Sequence, residues 1–362
     1  MARRRLPVRP ALLAGAAVLA AAIILAIVFR QDLSLLGVAD MHSLAVDDSG
    51  YQIQPLAFHF TSSFARGHDV YLADADGRIF HADDRDGSQA RQELGLACPS
   101  PRMIFAASDG TLLVSPDFTG SLLRSADGGN SWQAVLDRAA WRMDEDPRTG
   151  ALYVGAYNRR EQASLRAAIF KSIDRGLTWQ RVFDDPGLDH IHTIRCDGEF
   201  GRVYFAAGDK SALRGQGWSD DEGGTWSWIN RGRYDGHTDL ALTDRLAVWG
   251  SDDQYGRIIL SPRNNPRDSK TVLCGRYQQI WFVVAAGRQI YAGTSCLHNK
   301  SSSGAFLLAS GDEGQTWRKL MTLPVSADVD PTFFGDSRYL SADGWLYFST
   351  TAGKSYRVRA KR

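Results

Sequence analysis

Four carboxylates, Asp127, Asp174, Asp221 and Asp312, recur in one frame, each two residues after a Ser, two before a Gly and five before a Trp. Aspartate is a residue type of general acids and nucleophiles, yet four copies of one catalytic acid at regular spacing make no mechanistic sense. A carboxylate that accepts hydrogen bonds from nearby backbone N–H groups closes a turn, and that is the role these four are given. Two imidazoles, His190 and His192, stand one residue apart and so share one side of a strand. That geometry could hold a metal, but spacing shows no third ligand, so the pair is read as lining a polar funnel, with no metal and no cofactor. Arginines, aromatics and carboxylates brought together would suit an anionic or hydroxylated ligand such as a glycan. No convincing pair of carboxylates offers two-carboxylate glycoside hydrolysis, and no CxxC or Cys/His spacing suggests zinc.

The residues around each carboxylate specify the element that carries it. Gly129, Gly176, Gly223 and Gly314 supply the positive φ a tight reversal needs. The hydroxyls of Ser131, Thr178, Thr225 and Thr316 add weaker local hydrogen bonds. Trp132, Trp179, Trp226 and Trp317 open the following strand with a large apolar surface. The first three copies start at 125, 172 and 219, and the fourth at 310 lies two periods of about 45 residues further on, the length of a four-stranded blade. Decayed copies fit near 81, 261 and 349, the last reading Ser349-Thr-Thr351-Ala-Gly353-Lys-Ser355-Tyr356. Short β-rich runs with Gly/Asp turns between these points predict a closed all-β array. The last unit, 341–359, takes Tyr356-Arg-Val-Arg359 as its outer strand, and 51–60 is a candidate for ring closure.

The frame Ser-x-Asp-x-Gly-x-(Ser/Thr)-Trp resembles the Asp-box, or bacterial neuraminidase repeat, of sialidases, sortilin-type receptors, some glucanases and photosystem assembly factors. The resemblance implies a β-propeller, here of seven blades, or six if the first or last unit is misread. In such a ring the box hairpins occupy one face and ligands bind on the other. Candidates on the loops entering inner strands there are Arg102, Trp141, Arg142, His190, His192, His237, Asp239 and Gln279. Tyr157, Asp209 and Asp252 belong to loops that follow second strands.

The resemblance also raises a sialidase-like exo-glycoside hydrolase. That chemistry needs three arginines on the substrate carboxylate, a Tyr activated by a Glu, and an acid/base Asp. The family's early Phe/Tyr-Arg-Ile-Pro motif is absent; the nearest string, Pro101-Arg102-Met103-Ile104, lacks its aromatic and its Pro. The preferred expectation is a non-catalytic docking module for a glycan or a membrane-complex partner, with hydrolysis as the alternative.

Four Arg lie within residues 1–10, followed by an uncharged apolar run at 11–29, just long enough to cross a bilayer. The positive-inside rule places the leader in the cytoplasm and the remainder in the periplasm or outside the cell. The absence of a small-x-small site after the run favours an uncleaved anchor over a signal peptide. Residues 30–52 read as a tether and 53–362 as the propeller. Lys+Arg 42 against Asp+Glu 41 gives a formal charge of +1 and no argument for nucleic acid. In an oxidising compartment Cys274 and Cys296, at the start and end of one blade's inner strand pair, are the expected disulfide, with Cys98 and Cys196 as buried thiols.

Overall fold

The computed structural model describes residues 35–86, 91–116, 120–157, 167–209, 214–232, 236–296, 303–325, 329–335 and 338–361. The expected membrane segment at 11–29 lies outside them, and among the described residues no helix is long and apolar enough to cross a membrane. The chain divides into two units, Met1–Ala39 and Asp40–Arg362. In the first, the described end is a turn closed by the Val38 N–H on the Leu35 carbonyl (3.0 Å).

The second unit is a seven-bladed β-propeller. Seven antiparallel sheets each run four strands outward from an axis, and blade 5 carries a fifth in which Asp40 takes part. Blade 1 comprises Ser62–Arg66, Asp69–Ala73, Arg78–Asp83 and Arg91–Leu96; blade 2 Pro101–Ala106, Leu112–Pro116, Leu122–Ser125 and Gln133–Leu136. Blade 3 comprises Ala140–Glu145, Leu152–Ala156, Ala167–Ser172 and Gln180–Asp185; blade 4 Ile191–Asp197, Arg202–Ala207, Arg214–Ser219 and Ser227–Gly232. Blade 5 comprises His237–Leu242, Leu246–Ser251, Ile258–Pro262 and Lys270–Cys274; blade 6 Gln278–Ala286, Gln289–Cys296, Ala305–Ser310 and Arg318–Leu323. Blade 7 takes Phe333–Phe334, Leu346–Thr350 and Ser355–Ala360 from the end of the chain and its outer strand, Tyr51–Leu56, from the beginning. Residues 51–56 therefore close the ring, pairing from Tyr51↔Ala360 to Leu56↔Ser355.

Closure corrects two expectations. Tyr356–Arg359 belong to the third strand of the last blade, because the outer place is filled from the other end of the chain. The frame at 349–356 joins second and third strands and so lies on the face opposite the true hairpins.

The four complete hairpins connect third to fourth strands and are built alike. Ser125, Ser172, Ser219 and Ser310 each donate Oγ–H to the aspartate two residues on (2.8 Å in every case) and accept the glycine N–H. The carboxylates of Asp127, Asp174, Asp221 and Asp312 then accept both the N–H and the hydroxyl of the Ser or Thr four residues on. The indole N–H of Trp132, Trp179 and Trp317 returns to its own hairpin glycine carbonyl, whereas Trp226 reaches the Val182 carbonyl of the preceding blade (2.9 Å). In blade 5 Arg263 stands where the others have Asp, and it spans to Asp197 of blade 4 (Nε to Oδ2, 2.8 Å).

Blades pack face to face, so their core is a series of interfaces. At two of them a glycine sets the spacing: a Cβ on Gly155 would lie 2.4 Å from Ile191, and one on Gly250 2.5 Å from Ile280. Residues 40–50 extend along the rim: Met41 is buried in the cluster holding Ile280 and Phe306, and Asp47 N–H meets the Lys319 carbonyl (2.8 Å).

None of the four cysteines is in a disulfide; Cys98, Cys196 and Cys296 are buried and Cys274 half-buried. The expected Cys274–Cys296 bridge is not formed. Cys274 ends the fourth strand of blade 5, whereas Cys296 ends the second strand of blade 6 opposite Gln278, so the two differ in blade and in distance from the axis.

Candidate functional site

Inner strands all start at the end of the axis opposite the hairpins, and second strands finish there. In five successive blades the inner strand begins with one extra residue relative to its partner. The register slips between Pro101 and Met103, Ala140 and Met143, Ile191 and Thr193, His237 and Asp239, and Ile280 and Phe282. Such a bulge re-aims side chains that strict alternation would send elsewhere. The residues at the slips include Arg102, Trp141, His192 and Trp281, and these are the side chains that meet across the mouth.

Trp141 and Trp281, from blades 3 and 6, approach to 5.2 Å between ring centroids, and Trp281 meets Phe334 of blade 7 edge-on at 6.0 Å. The Arg102 guanidinium lies 5.4, 5.6 and 5.7 Å from the Trp141, Trp281 and Phe334 rings. Arg102, Trp281 and Phe334 are only half-buried, so this cationic, aromatic floor is open to a ligand.

Beside it lies a second cluster. Tyr157 packs its ring against His190 (4.0 Å) and stacks on His192 (5.7 Å). His190 Nε2 and His192 Nε2 stand 2.9 Å apart, and the Asp209 carboxylate reaches both, at 3.3 and 3.4 Å. His192 Nδ1 donates to the His237 carbonyl (2.8 Å). Asp252 accepts the Asp209 N–H (2.9 Å) and the Gln279 amide. Burial disfavours the charged form of His190 and lowers its pKa. Burial acts on His192 too, but its hydrogen bond to the Asp209 carboxylate and the Asp252 charge outweigh it and raise its pKa. Burial likewise opposes ionisation of Asp209, yet both imidazoles hold its carboxyl far below the usual range. His190, His192 and Asp209 thus form the group here able to hold a metal.

Arg142 and Asp239 are not at the mouth. They lie inside the axis, where Asp239 accepts from Arg338 (2.6 Å), Thr193 (2.9 Å) and the Val283 N–H (3.1 Å), with Arg142 at 3.8 Å. Below them Asp144 accepts from Tyr339 (2.5 Å) and the Cys196 N–H (3.0 Å) and faces Arg195 at 3.5 Å. Burial opposes the charge on Asp239, but the Arg338 and Arg142 guanidiniums outweigh it and lower its pKa. His237 contributes its carbonyl to the mouth while its ring packs edge-on against Trp249 at 5.8 Å.

Of the residues named from the sequence, the structure brings Arg102, Trp141, Tyr157, His190, His192 and Gln279 to this mouth, together with Trp281 and Phe334, which the sequence reading did not name. Trp281 was obscured by the unseen bulge between Ile280 and Phe282, and Phe334 lies on a two-residue inner strand too short to show a pattern. Two cavities open on the hairpin face, of ≈ 670 Å³ beside Lys171 and Glu222 and ≈ 540 Å³ beside Glu145 and Tyr339. Their charged groups are already paired within the protein: Lys171 with Glu222 (2.8 Å), and Glu145 with Arg66 (2.6 Å) and Ser108. The mouth is the stronger candidate because its cation and rings converge on a shared open surface.

No protein-family model matches the chain, and no curated protein matches it. Solved structures do. YCF48 bound to a D1 peptide is 14% identical with TM-score 0.56, covering 88% of this chain and 100% of that one. A catalytically inactive virginiamycin B lyase from Staphylococcus aureus with quinupristin is 11% identical with TM-score 0.60, covering 86% and 100%. An ancestral GH74 enzyme is 14% identical with TM-score 0.57, covering 85% of this chain but only 47% of its own. All are seven-bladed propellers, and at these identities the likeness establishes the architecture alone: this chain has the seven-bladed β-propeller fold.

Proposed function

We propose that the protein is a membrane-anchored, extracytoplasmic docking propeller, with Asp-box hairpins on one face and its ligand surface at the opposite mouth. The observation that carries this reading is Arg102 set among Trp141, Trp281 and Phe334 from three other blades. A half-buried guanidinium ringed by aromatic faces offers one charge-assisted hydrogen-bonding centre and a flat apolar surface. That combination suits a carboxylate- or hydroxyl-bearing chain, either a glycan or a peptide segment of a membrane-complex partner. The YCF48 complex shows that this fold can hold a peptide.

The sialidase-like alternative requires three arginines free to grip a substrate carboxylate. Arg142, Arg195 and Arg338 do converge, but on Asp239 and Asp144 within the buried axis. The protein's own carboxylates already fill the place a substrate would take, which favours docking over hydrolysis.

The test is a binding screen of the full chain, in mild detergent, against an oligosaccharide array and a library of acidic peptides. A ligand is expected whose affinity falls at least about tenfold in Arg102→Ala or Trp281→Ala, a loss of about 1.4 kcal/mol. Turnover of a fluorogenic sialoside that vanishes with one mouth substitution would replace this reading with hydrolysis. Protease accessibility in spheroplasts tests the topology: the propeller should be cleaved from outside, and protection until lysis would refute the anchor orientation.

A further inference from the structure

We infer that His190, His192 and Asp209 form a binding site for one first-row divalent transition metal, of which zinc is the reference. This inference does not rest on the docking reading. The three side chains come from two places in blade 4, the start of its inner strand and the end of its second, which meet at the mouth. Metal–ligand bonds of about 2.0–2.1 Å put neighbouring donors about 2.9 Å apart in an octahedral shell and about 3.3 Å apart in a tetrahedral one. The two Nε2 atoms stand 2.9 Å apart, and the Asp209 carboxylate meets His190 through Oδ2 at 3.3 Å and His192 through Oδ1 at 3.4 Å, so each contact lies at those values and the carboxylate faces both imidazoles.

The protonation pattern agrees. A carbonyl can only accept, so the 2.8 Å contact with the His237 oxygen puts a proton of His192 on Nδ1, and in the neutral ring the Nε2 lone pair then faces His190 and Asp209. An imidazole oriented through its far nitrogen is the usual support of a metal ligand. His190 is 3% exposed and its Nδ1 has no hydrogen-bond partner, so the ring is held by packing against Tyr157 rather than by a hydrogen bond at its far nitrogen.

The backbone is bent to deliver the carboxylate. Asp209 has φ +71°, the left-handed region that non-glycine residues rarely occupy, and its N–H is tied to Asp252. Gly208 before it runs so close to His192 that a Cβ there would lie 2.2 Å from the ring. Strain of this kind concentrates at functional sites. Two imidazoles and one carboxylate suit zinc, nickel or ferrous iron better than calcium or magnesium, which prefer all-oxygen shells. Three protein donors leave a coordination position open, and Asp209, with 38% of its side chain exposed, marks the solvent side.

A second trio, His68, Asp84 and Asp343, serves as an internal contrast. His68 Nδ1 and Asp84 Oδ1 are 2.6 Å apart, too close for two ligands of one ion and right for a direct hydrogen bond.

The experiment uses the full chain, stripped with chelator and titrated with zinc chloride alone by calorimetry. One equivalent should bind; Asp209→Asn and His190→Gln should each weaken it at least tenfold, and His68→Gln should leave it unchanged. Cobalt(II) added to the stripped protein should give visible d–d absorption that Asp209→Asn alters, a readout independent of stability. Circular dichroism and a thermal melt confirm that each variant is folded. Absence of stoichiometric binding, affinity unmoved by Asp209→Asn, or loss only with His68→Gln would overturn the assignment and leave a proton-sharing His–His–Asp cluster.

Discussion

Asp127, Asp174 and Asp221 titrate at about 2, depressed by hydrogen bonds from the hydroxyl and N–H of Ser131, Thr178 and Thr225. The ordinary aspartate value is about 3.9. A carboxyl depressed in the folded state contributes stability that is complete above its unfolded value and lost as pH falls through its folded value. The thermal midpoint should therefore hold at mild acidity and drop between about pH 4 and pH 2, and Asp174→Asn should flatten part of that drop. A midpoint flat over that interval would mean the carboxylates do not lock the hairpins. Aspartate, glycine and hydroxyl in this frame were legible because each does its work within eight residues. The residue between Asp and Gly was not: Arg175, Glu222 and Glu313 occupy it at φ +62°, +58° and +59°, where the first hairpin has Gly128 at +71°. A left-handed non-glycine residue costs about 1–2 kcal/mol, and the Arg175–Asp109 ion pair (3.1 Å) is too exposed to return much. Arg175→Gly should accordingly raise stability by up to about 1 kcal/mol in urea denaturation, after glycine's own entropy cost is taken off.

The element that decides the ring is the outer strand Tyr51–Leu56, which shields the edge of Ser355–Ala360 and ties the two ends of the chain together. Tyr51 is 7% exposed and meets Tyr291 of blade 6 edge-on at 6.1 Å, so it couples the closing strand to the neighbouring blade. Tyr51→Ala should cost about 3 kcal/mol, within the range for a buried aromatic, and should lower the urea midpoint more than any single substitution on a hairpin surface. An effect below about 1 kcal/mol would mean that the closing strand is dispensable. Blade positions were readable from the period, since each complete hairpin marks a third-to-fourth turn. Blade 7 was misread for a physical reason: a noncovalent closure has no hairpin between third and fourth strands, and a Gly-Ser turn elsewhere resembled one. The mouth was half legible for a related reason. One bulge moves a side chain to the opposite face of its strand, so alternation counted from the sequence could list Arg102 and Trp141 yet pass over Trp281.

Across the whole molecule two sets of charged residues share one axis, an inner set bonded within the fold and an outer one to which the docking proposal gives the ligand. Asp239 is 1% exposed and bonded to Arg338, with Arg142 beside it, so it joins blades 3 and 5 to the loop of blade 7. Removing its charge takes away the carboxylate paired with the buried Arg338 guanidinium, a change that costs about 3–5 kcal/mol. Arg102 is half-buried and its guanidinium lies over the Trp141, Trp281 and Phe334 rings, contacts worth about 1 kcal/mol at such a site, so Arg102→Ala should stay within about 1 kcal/mol of the parent. Urea unfolding and ligand titration on the same two variants separate the roles. Asp239→Asn should unfold earlier while the folded fraction binds normally; Arg102→Ala should unfold with the parent and bind at least tenfold more weakly. The reverse pattern, with Arg102 carrying stability and Asp239 carrying affinity, would place the binding surface within the axis and make the three converging arginines the substrate grip that hydrolysis requires.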